Sequence, residues 1–361
     1  MRSGTKKINF NSGPGVLPAE VLQQASQAVI EYEDSGISIL GIPHRGKYFD
    51  AILQESNALV KELCGLDDAY DVLWMHGGGR LQFAMVPMNY LGAGDTAGYI
   101  DSGSWSAEAI EYAKHYGQVQ ILSSSKEDEY THLPQWPEQV PVHLAYLHLT
   151  TNNTIYGTQR QEIPACNVPL VADMSSDIFC CKRRYDNCAM FYAVAQKNIG
   201  PAGATLVVIH KDFAVKQKRQ LPPMLSYAAH IKKNSVLNTP PVFAIYTSLL
   251  TLRWTKEKGI EAIEAENKQK AAILYEEVER NSLFHSHIYT PDRSMMNACF
   301  GMKDKEQEKA FINYCEENGV TGIGGHRTVG GLRVSMYNAI SIQDVEYLAG
   351  LMKEFENKHA S

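Results

Sequence analysis

Midway along the chain, two apolar runs are separated by a short polar interruption that constrains what the rest can be. Met190-Phe191-Tyr192-Ala193-Val194-Ala195 reads as one buried strand and Thr205-Leu206-Val207-Val208-Ile209 as a second, with Gly200-Pro201-Ala202-Gly203 turning the chain between them. Lys197 lies in that interruption, in what the pattern predicts to be a tight loop joining two core strands. An unpaired lysine is almost never buried. One held by a glycine-bounded turn at strand ends, with its pKa depressed by its surroundings, is equipped to form a Schiff base with an aldehyde cofactor.

An aldehyde cofactor of the pyridoxal phosphate kind needs two further features, a carboxylate that keeps its pyridine nitrogen protonated and a cradle for its phosphate. Val168-Pro169-Leu170-Val171-Ala172-Asp173 ends an apolar run in a single acid, which places Asp173 at the carboxyl end of the strand before the lysine strand. Alone, an aspartate there also suits a helix N-cap or a turn. Its pairing with Lys197 is what favours a site. Asp71-Val72-Leu73-Trp74-Met75, followed by His76-Gly77-Gly78-Gly79-Arg80, has the form strand, glycine loop, helix start. Glycines let backbone N–H groups approach an anion, and a helix N-terminus favours negative charge. The loop fits neither the dinucleotide nor the P-loop glycine pattern, so its meaning comes from standing in chain order with Asp173 and Lys197.

From Val72 to Ile209 strands alternate with helices, which predicts an α/β fold with a mostly parallel sheet covered on both faces and sites at the carboxyl ends of its strands. Trp105 and Thr154 stand just past two such ends. A tryptophan there also suits the core, and it can stack on a planar ring. One strand is expected over 142–149, and helices over 18–32, 48–63, 107–116 and 260–281, with another opened by Asn238-Thr239-Pro240-Pro241. The polar, basic stretch 216–233 reads as a surface excursion. A boundary near Lys258-Gly259 divides a large domain, 16–258, from a small α+β domain, 259–361, with residues 1–15 packing near the site.

The length, 361 residues, exceeds what one core usually holds. A net charge of −6 gives no electrostatic footprint for nucleic acid or an anionic membrane, and no apolar run approaches the roughly 20 residues of a membrane helix. Met1 to Lys7 is basic and lacks the apolar core of a secretory leader, so a cytoplasmic protein is expected. Seven cysteines without a C-x-x-C spacing suit free thiols in a reducing compartment. Cys180-Cys181 reads as partly buried thiols, and His285-Ser286-His287 as a polar strand edge; no metal is expected.

Six separated motifs occur in order: Asn11-Ser12-Gly13-Pro14, Pro43-His44-Arg45-Gly46-Lys47, His76-Gly77-Gly78-Gly79-Arg80, Ala195-Gln196-Lys197-Asn198-Ile199-Gly200-Pro201, Asn238-Thr239-Pro240-Pro241 and Gly325-His326-Arg327-Thr328-Val329-Gly330-Gly331-Leu332-Arg333. Together they resemble the phosphoserine aminotransferases, class V members of the fold-type I pyridoxal-phosphate enzymes, over 9–359. The resemblance implies a large domain built on a mostly parallel, seven-stranded type of sheet, a smaller α+β C-terminal domain, and a homodimer with shared active sites. It implies that Lys197 carries pyridoxal 5'-phosphate and shuttles the proton, that Asp173 faces the pyridine nitrogen, and that Gly79, Arg80 and Gln196 also hold the cofactor. Trp105 would stack on the ring and Thr154 would meet its hydroxyl, with Thr150 and Thr151 close enough to compete for that role. Asn238 and Thr239 would cross a dimer interface to the partner's cofactor phosphate. Ser12 would lie over the site and Arg333 would clamp the substrate's α-carboxylate. His44, Arg45 and Arg80, with His326 and Arg327 from the partner, would hold its phosphate.

The implied reaction is reversible transamination of 3-phosphohydroxypyruvate with L-glutamate, giving O-phospho-L-serine and 2-oxoglutarate in serine biosynthesis. 4-Phosphohydroxy-L-threonine, in pyridoxine biosynthesis, is a second substrate the motifs do not separate from the first. Another class V enzyme, either cysteine desulfurase-like or an aminotransferase for another small substrate, is the alternative. A desulfurase needs a reactive cysteine in a mobile loop, where this chain has His326-Arg327. A silent phosphate-binding module, using the glycine loop without a cofactor, would lack absorbance at the visible edge.

Overall fold

The computed structural model describes residues 7–359, so the basic N-terminal stretch lies, Lys7 apart, outside the described residues. In chain order, β1 (Ile8–Asn9), α1 (Ala19–Ile30) and α2 (Lys47–Cys64) lead into β2 (Tyr70–Met75), α3 (Gly78–Tyr90), β3 (Thr96–Asp101), α4 (Ser104–Ala113), β4 (Gln118–Ser124) and β5 (Leu147–Thr150). A small antiparallel pair, β6 (Asn152–Asn153) and β7 (Thr158–Gln159), precedes β8 (Leu170–Asp173), β9 (Met190–Val194), the single turn α5 (Ala195–Asn198) and β10 (Thr205–His210). Four helices follow: α6 (Lys211–Ala214), α7 (Tyr227–Lys232), α8 (Val242–Lys258) and α9 (Ile260–Arg280). The chain closes with β11 (Phe284–His285), β12 (Asn297–Met302), α10 (Lys305–Glu317), β13 (Val320–Thr321), β14 (Leu332–Ser335) and α11 (Ile342–His359).

Seven strands form one sheet in the order β2-β10-β9-β8-β5-β3-β4. Neighbours from β9 to β4 run parallel, whereas β10 is antiparallel to both β9 and β2. The connection from β9 to β10 is the helical turn α5 and the Gly200-Pro201-Ala202-Gly203 turn, together too short for the crossover that a parallel return requires. Successive residues of each strand divide between two cores. Trp74, Leu149, Ala172, Phe191 and Leu206 pack with α1, α2 and α8, while Met75, Tyr99, Val171, Tyr192 and Val207 pack with α3, α4 and α7. Because both faces are covered, the strands read as unbroken apolar runs rather than alternating ones.

Gly259, at φ +84°, ends α8 and opens α9. Beyond it, the antiparallel sheet β11-β12-β14 and helices α9, α10 and α11 enclose another core, around Phe284, Phe300, Phe311 and Phe355. Phe10, Cys180 and Cys181 join that core, and β1 pairs in parallel with β13. The N-terminal segment and a loop of the large sheet are thereby fastened to the small lobe.

Three local expectations change. Lys197 lies on a helical turn and not in a loop, because the chain enters helical geometry as soon as β9 ends at Val194. Residues 216–233 are a surface excursion with buried anchors: most of the stretch is exposed or partly exposed, but Tyr227 is fully buried and donates to Gln82 at 2.6 Å, and Arg219 donates to the carbonyls of Leu91 and Tyr116. Lysines set the polarity of that stretch while one tyrosine sets its position. The strand expected over 142–149 begins only at Leu147, after a turn that starts at Pro141.

Candidate active site

The carboxyl ends of β5, β8 and β9 and the first turns of α3, α4 and α5 open onto one cavity of about 370 Å³. The N-terminal loop Ser12-Gly13-Pro14 covers part of it, and the small lobe contributes His326 and Arg333. Lys197 reaches the cavity from α5, with Nζ 3.4 Å from Thr154 Oγ1. Burial drags its pKa down to about 8; the charge of Asp173 opposes that shift and the charge of Arg333 adds to it. Gly13, at φ +143°, lies along the lysine's alkyl chain, where a Cβ would stand 3.6 Å from Lys197 Cγ.

Asp173 ends β8 at 5% exposure. Burial raises its pKa, against the Ser175 amide that donates to Oδ1 at 2.9 Å and the charge of Lys197. Among the described residues it has no ion-pair partner closer than that opposing lysine charge. Two cavity-lining side chains carry buried polar atoms with nothing to bond: Trp105 Nε1 and Thr150 Oγ1. Such orphans are rare in folded proteins, and both belong to residues that line the cavity.

Gly77 and Gly78, at φ +85° and +65°, turn the chain from β2 into α3, whose first amides have no acceptor within the helix. Those amides and the helix dipole suit an anion. Arg80, on the same turn, lies 5.4 Å from the centre of the Trp105 ring and is held by Glu108, with Nε and Oε1 2.6 Å apart. Glu108 was not legible beforehand, since one acid on an exposed helix face carries no signal until the fold sets it beside Arg80. Ser175 and Ser176, just after Asp173, and Asn152 also line the cavity.

Arg333, on β14, donates to the Thr154 carbonyl at 3.3 Å and enters no ion pair among the described residues. His326 also lines the cavity, its pKa lowered by burial and by the charges of Arg333 and Arg327. Gln196 and Gly79 line the cavity, whereas His44, Arg45, Arg327, Asn238 and Thr239 do not. Asn238 sits 3.3 Å from His76 Nε2, behind the glycine loop, and no side chain caps α8. His326, expected from the partner, lines the cavity of its own chain, where the glycine-rich loop before β14 brings it.

Residues 8–348 match the aminotransferase class-V family. A phosphoserine aminotransferase from Flavobacterium psychrophilum is 46% identical over 355 residues, which cover 98% of this chain and 99% of that protein. The chain belongs to the phosphoserine aminotransferase family of class V. Among solved structures, the phosphoserine aminotransferase from Bacillus circulans subsp. alkalophilus superposes with a TM-score of 0.95 at 39% identity, covering 98% of this chain and 99% of that one. The pyridoxal-phosphate-bound phosphoserine aminotransferase from Trichomonas vaginalis gives 0.91 at 31% identity, covering 96% and 100%.

The residues present here fit the group named in that last structure. A buried lysine of depressed pKa suits its aldehyde, an otherwise unpaired buried aspartate its ring nitrogen, the Trp105 ring its flat face, and the α3 N-terminus its phosphate. The unpartnered Thr150 hydroxyl and the Thr154 hydroxyl stand within the same cavity.

Proposed function

We propose that this chain is a pyridoxal-phosphate-dependent phosphoserine aminotransferase, which moves an amino group from L-glutamate to 3-phosphohydroxypyruvate and yields 2-oxoglutarate and O-phospho-L-serine. The observation that carries the reading is the meeting of Lys197, at a pKa of about 8, with Asp173 in a cavity that is also lined by Arg80, Arg333 and His326. A substrate that bears both a carboxylate and a phosphate requires more than one such cationic group.

When bound, pyridoxal phosphate supplies an aldehyde for amine exchange and a ring that withdraws electrons from the amino acid's α-carbon. Lys197 would hold the cofactor at rest, and its uncharged Nζ would take the proton from the amino donor's α-carbon. In the return half-reaction the same nitrogen delivers a proton to the α-carbon of the product. Asp173 accepts a hydrogen bond from the ring nitrogen and keeps it protonated. Arg333 grips the α-carboxylate, a charge-assisted and bidentate contact that orients the Cα–H bond toward Lys197. Trp105 fixes the plane of the ring, and the Ser12-Gly13-Pro14 loop narrows access for water.

His44, Arg45, Asn238 and Thr239 have no role in their own cavity, which supports a homodimer in which these segments serve the partner's site. No helix among the described residues is long and apolar enough to cross a membrane, and the cytoplasm is the proposed location. The deciding experiment is a coupled assay of the purified protein with O-phospho-L-serine and 4-phosphohydroxy-L-threonine, followed by borohydride reduction and peptide mapping. Turnover of phosphoserine with the reduced cofactor on Lys197 is expected. A label on another lysine, or absorbance without turnover of either substrate, would overturn the assignment.

A further inference from the structure

Lys270 is the one lysine on α9 with 0% exposure; Lys268, two residues earlier, is exposed. It enters no ion pair among the described residues, and Glu266, one turn before it, is taken by Lys258 at 2.6 Å. Its Nζ donates instead to three carbonyls, those of Met336 at 3.1 Å, Tyr337 at 3.0 Å and Ile340 at 3.0 Å. An ammonium has three N–H donors and no lone pair, so three acceptors satisfy it. Burial draws its pKa down to about 7, while carbonyls, which only accept, favour the charged form.

Those carbonyls belong to a strap, residues 336–340, that joins β14 to α11. The other side of the strap is fastened to the active site. Tyr337 Oη donates to the Ser12 carbonyl at 2.6 Å, and the Asn338 amide donates to Asn198 Oδ1, in the turn that carries Lys197, at 3.0 Å. Asn267, one turn before Lys270 on the same face of α9, donates to Asn338 Oδ1 at 2.9 Å. The Tyr337 ring also backs Gly15, whose amide donates to the Gln196 carbonyl at 2.8 Å.

We propose that Lys270 is a positioning residue for transamination: its ammonium gathers the three strap carbonyls, and the strap fixes both the loop over the cavity and the turn bearing Lys197. It touches neither substrate nor cofactor and acts through Tyr337 and Asn338. The kinetic part rests on the function proposed above, whereas the structural part is read in protein without cofactor.

The test uses Lys270→Met, which keeps an unbranched apolar chain as far as Cε and removes the donors, and Tyr337→Phe, which leaves the strap clamped but cuts its link to Ser12. In cofactor-free Lys270→Met, hydrogen exchange at the Gly15 and Asn338 amides should quicken about tenfold or more while amides of β8 and β9 keep wild-type rates. In loaded enzyme, kcat should fall about tenfold to a hundredfold with little change in KM for glutamate, and the double variant should be no worse than Lys270→Met. Exchange that quickens equally in β8 and β9, or losses that multiply in the double variant, would overturn the proposal. Should Lys270→Met fail to fold, Tyr337→Phe decides: wild-type kcat and wild-type Gly15 exchange in that variant would refute the relay. A wild-type protein without transaminase activity would sink the proposed function and leave the exchange result standing.

Discussion

Lys197 owes its chemistry first to burial, which lowers its pKa to about 8, and the charge of Asp173 holds it from falling further. Only the uncharged amine condenses with an aldehyde, and at pH 8 an ordinary lysine is well under about 1% uncharged. The sign follows directly: cofactor capture by the cofactor-free protein should rise with pH through about 8 and level off above it, well below the 10.5 of an unperturbed lysine. Asp173→Asn removes the opposing charge, so the midpoint should move down; a stopped-flow pH series at the visible edge would register it, and an unmoved midpoint would mean that Asp173 is uncharged in the empty protein. Arg333 gives a different signature. Both amino acids present the same α-carboxylate, so Arg333→Ala should cost each half-reaction alike, about 1.5–3 kcal/mol in kcat/KM. Single-turnover kinetics with glutamate and with phosphoserine would show unequal losses if Arg333 instead served the phosphate end.

Single elements explain why some of the site was legible and some was not. β8 and β9 could be read because burial on both faces leaves only apolar residues before Asp173 and before the lysine turn. The glycines after β2 marked a loop open to an anion, and the backbone there takes angles that suit glycine: Gly77 has φ +85°, and a Cβ on it would run into the Leu81 side chain. Gly77→Ala should therefore cost about 1–3 kcal/mol in strain and weaken cofactor binding, since the first amides of α3 would swing away; thermal melts with and without pyridoxal phosphate would separate the two effects, and an equal melting shift in both would argue against a phosphate role for this turn. The direction of β10 was not legible, because an apolar run carries no sign of its partner's orientation. Nor was the burial of Tyr227 on α7, one aromatic within a stretch that is otherwise polar and basic. Glu108 and Lys270 were invisible for the same reason. Their roles arise only from residues that the fold brings beside them, Arg80 in one case and three carbonyls in the other.

Across the whole molecule the charges at the phosphate end do not balance within one chain. A phosphate monoester carries about −1.5 to −2 at pH 7, yet the cavity sets against it Arg80, already engaged by Glu108, and His326, whose lowered pKa leaves it mostly neutral there. His44 and Arg45 lie on the loop before α2 and do not line their own cavity. A second copy that presents this loop to the site would supply the missing charge. The arrangement predicts complementation: Lys197→Ala and Arg45→Ala proteins, each inactive or crippled alone, should regain about a quarter of wild-type activity after subunit exchange, because about half the dimers are mixed and one of the two sites in each is then intact. Arg327 does not line its own cavity either, so Lys197→Ala mixed with Arg327→Ala reads whether that loop crosses to the partner as well. The measurement is activity against time after mixing, with exchange verified by a mass tag on one parent. Recovery with Arg327→Ala but not with Arg45→Ala would reverse the assignment of which loop crosses to the partner. No recovery with either, once exchange is verified, would make each site the work of one chain and leave the phosphate to Arg80 and His326 alone.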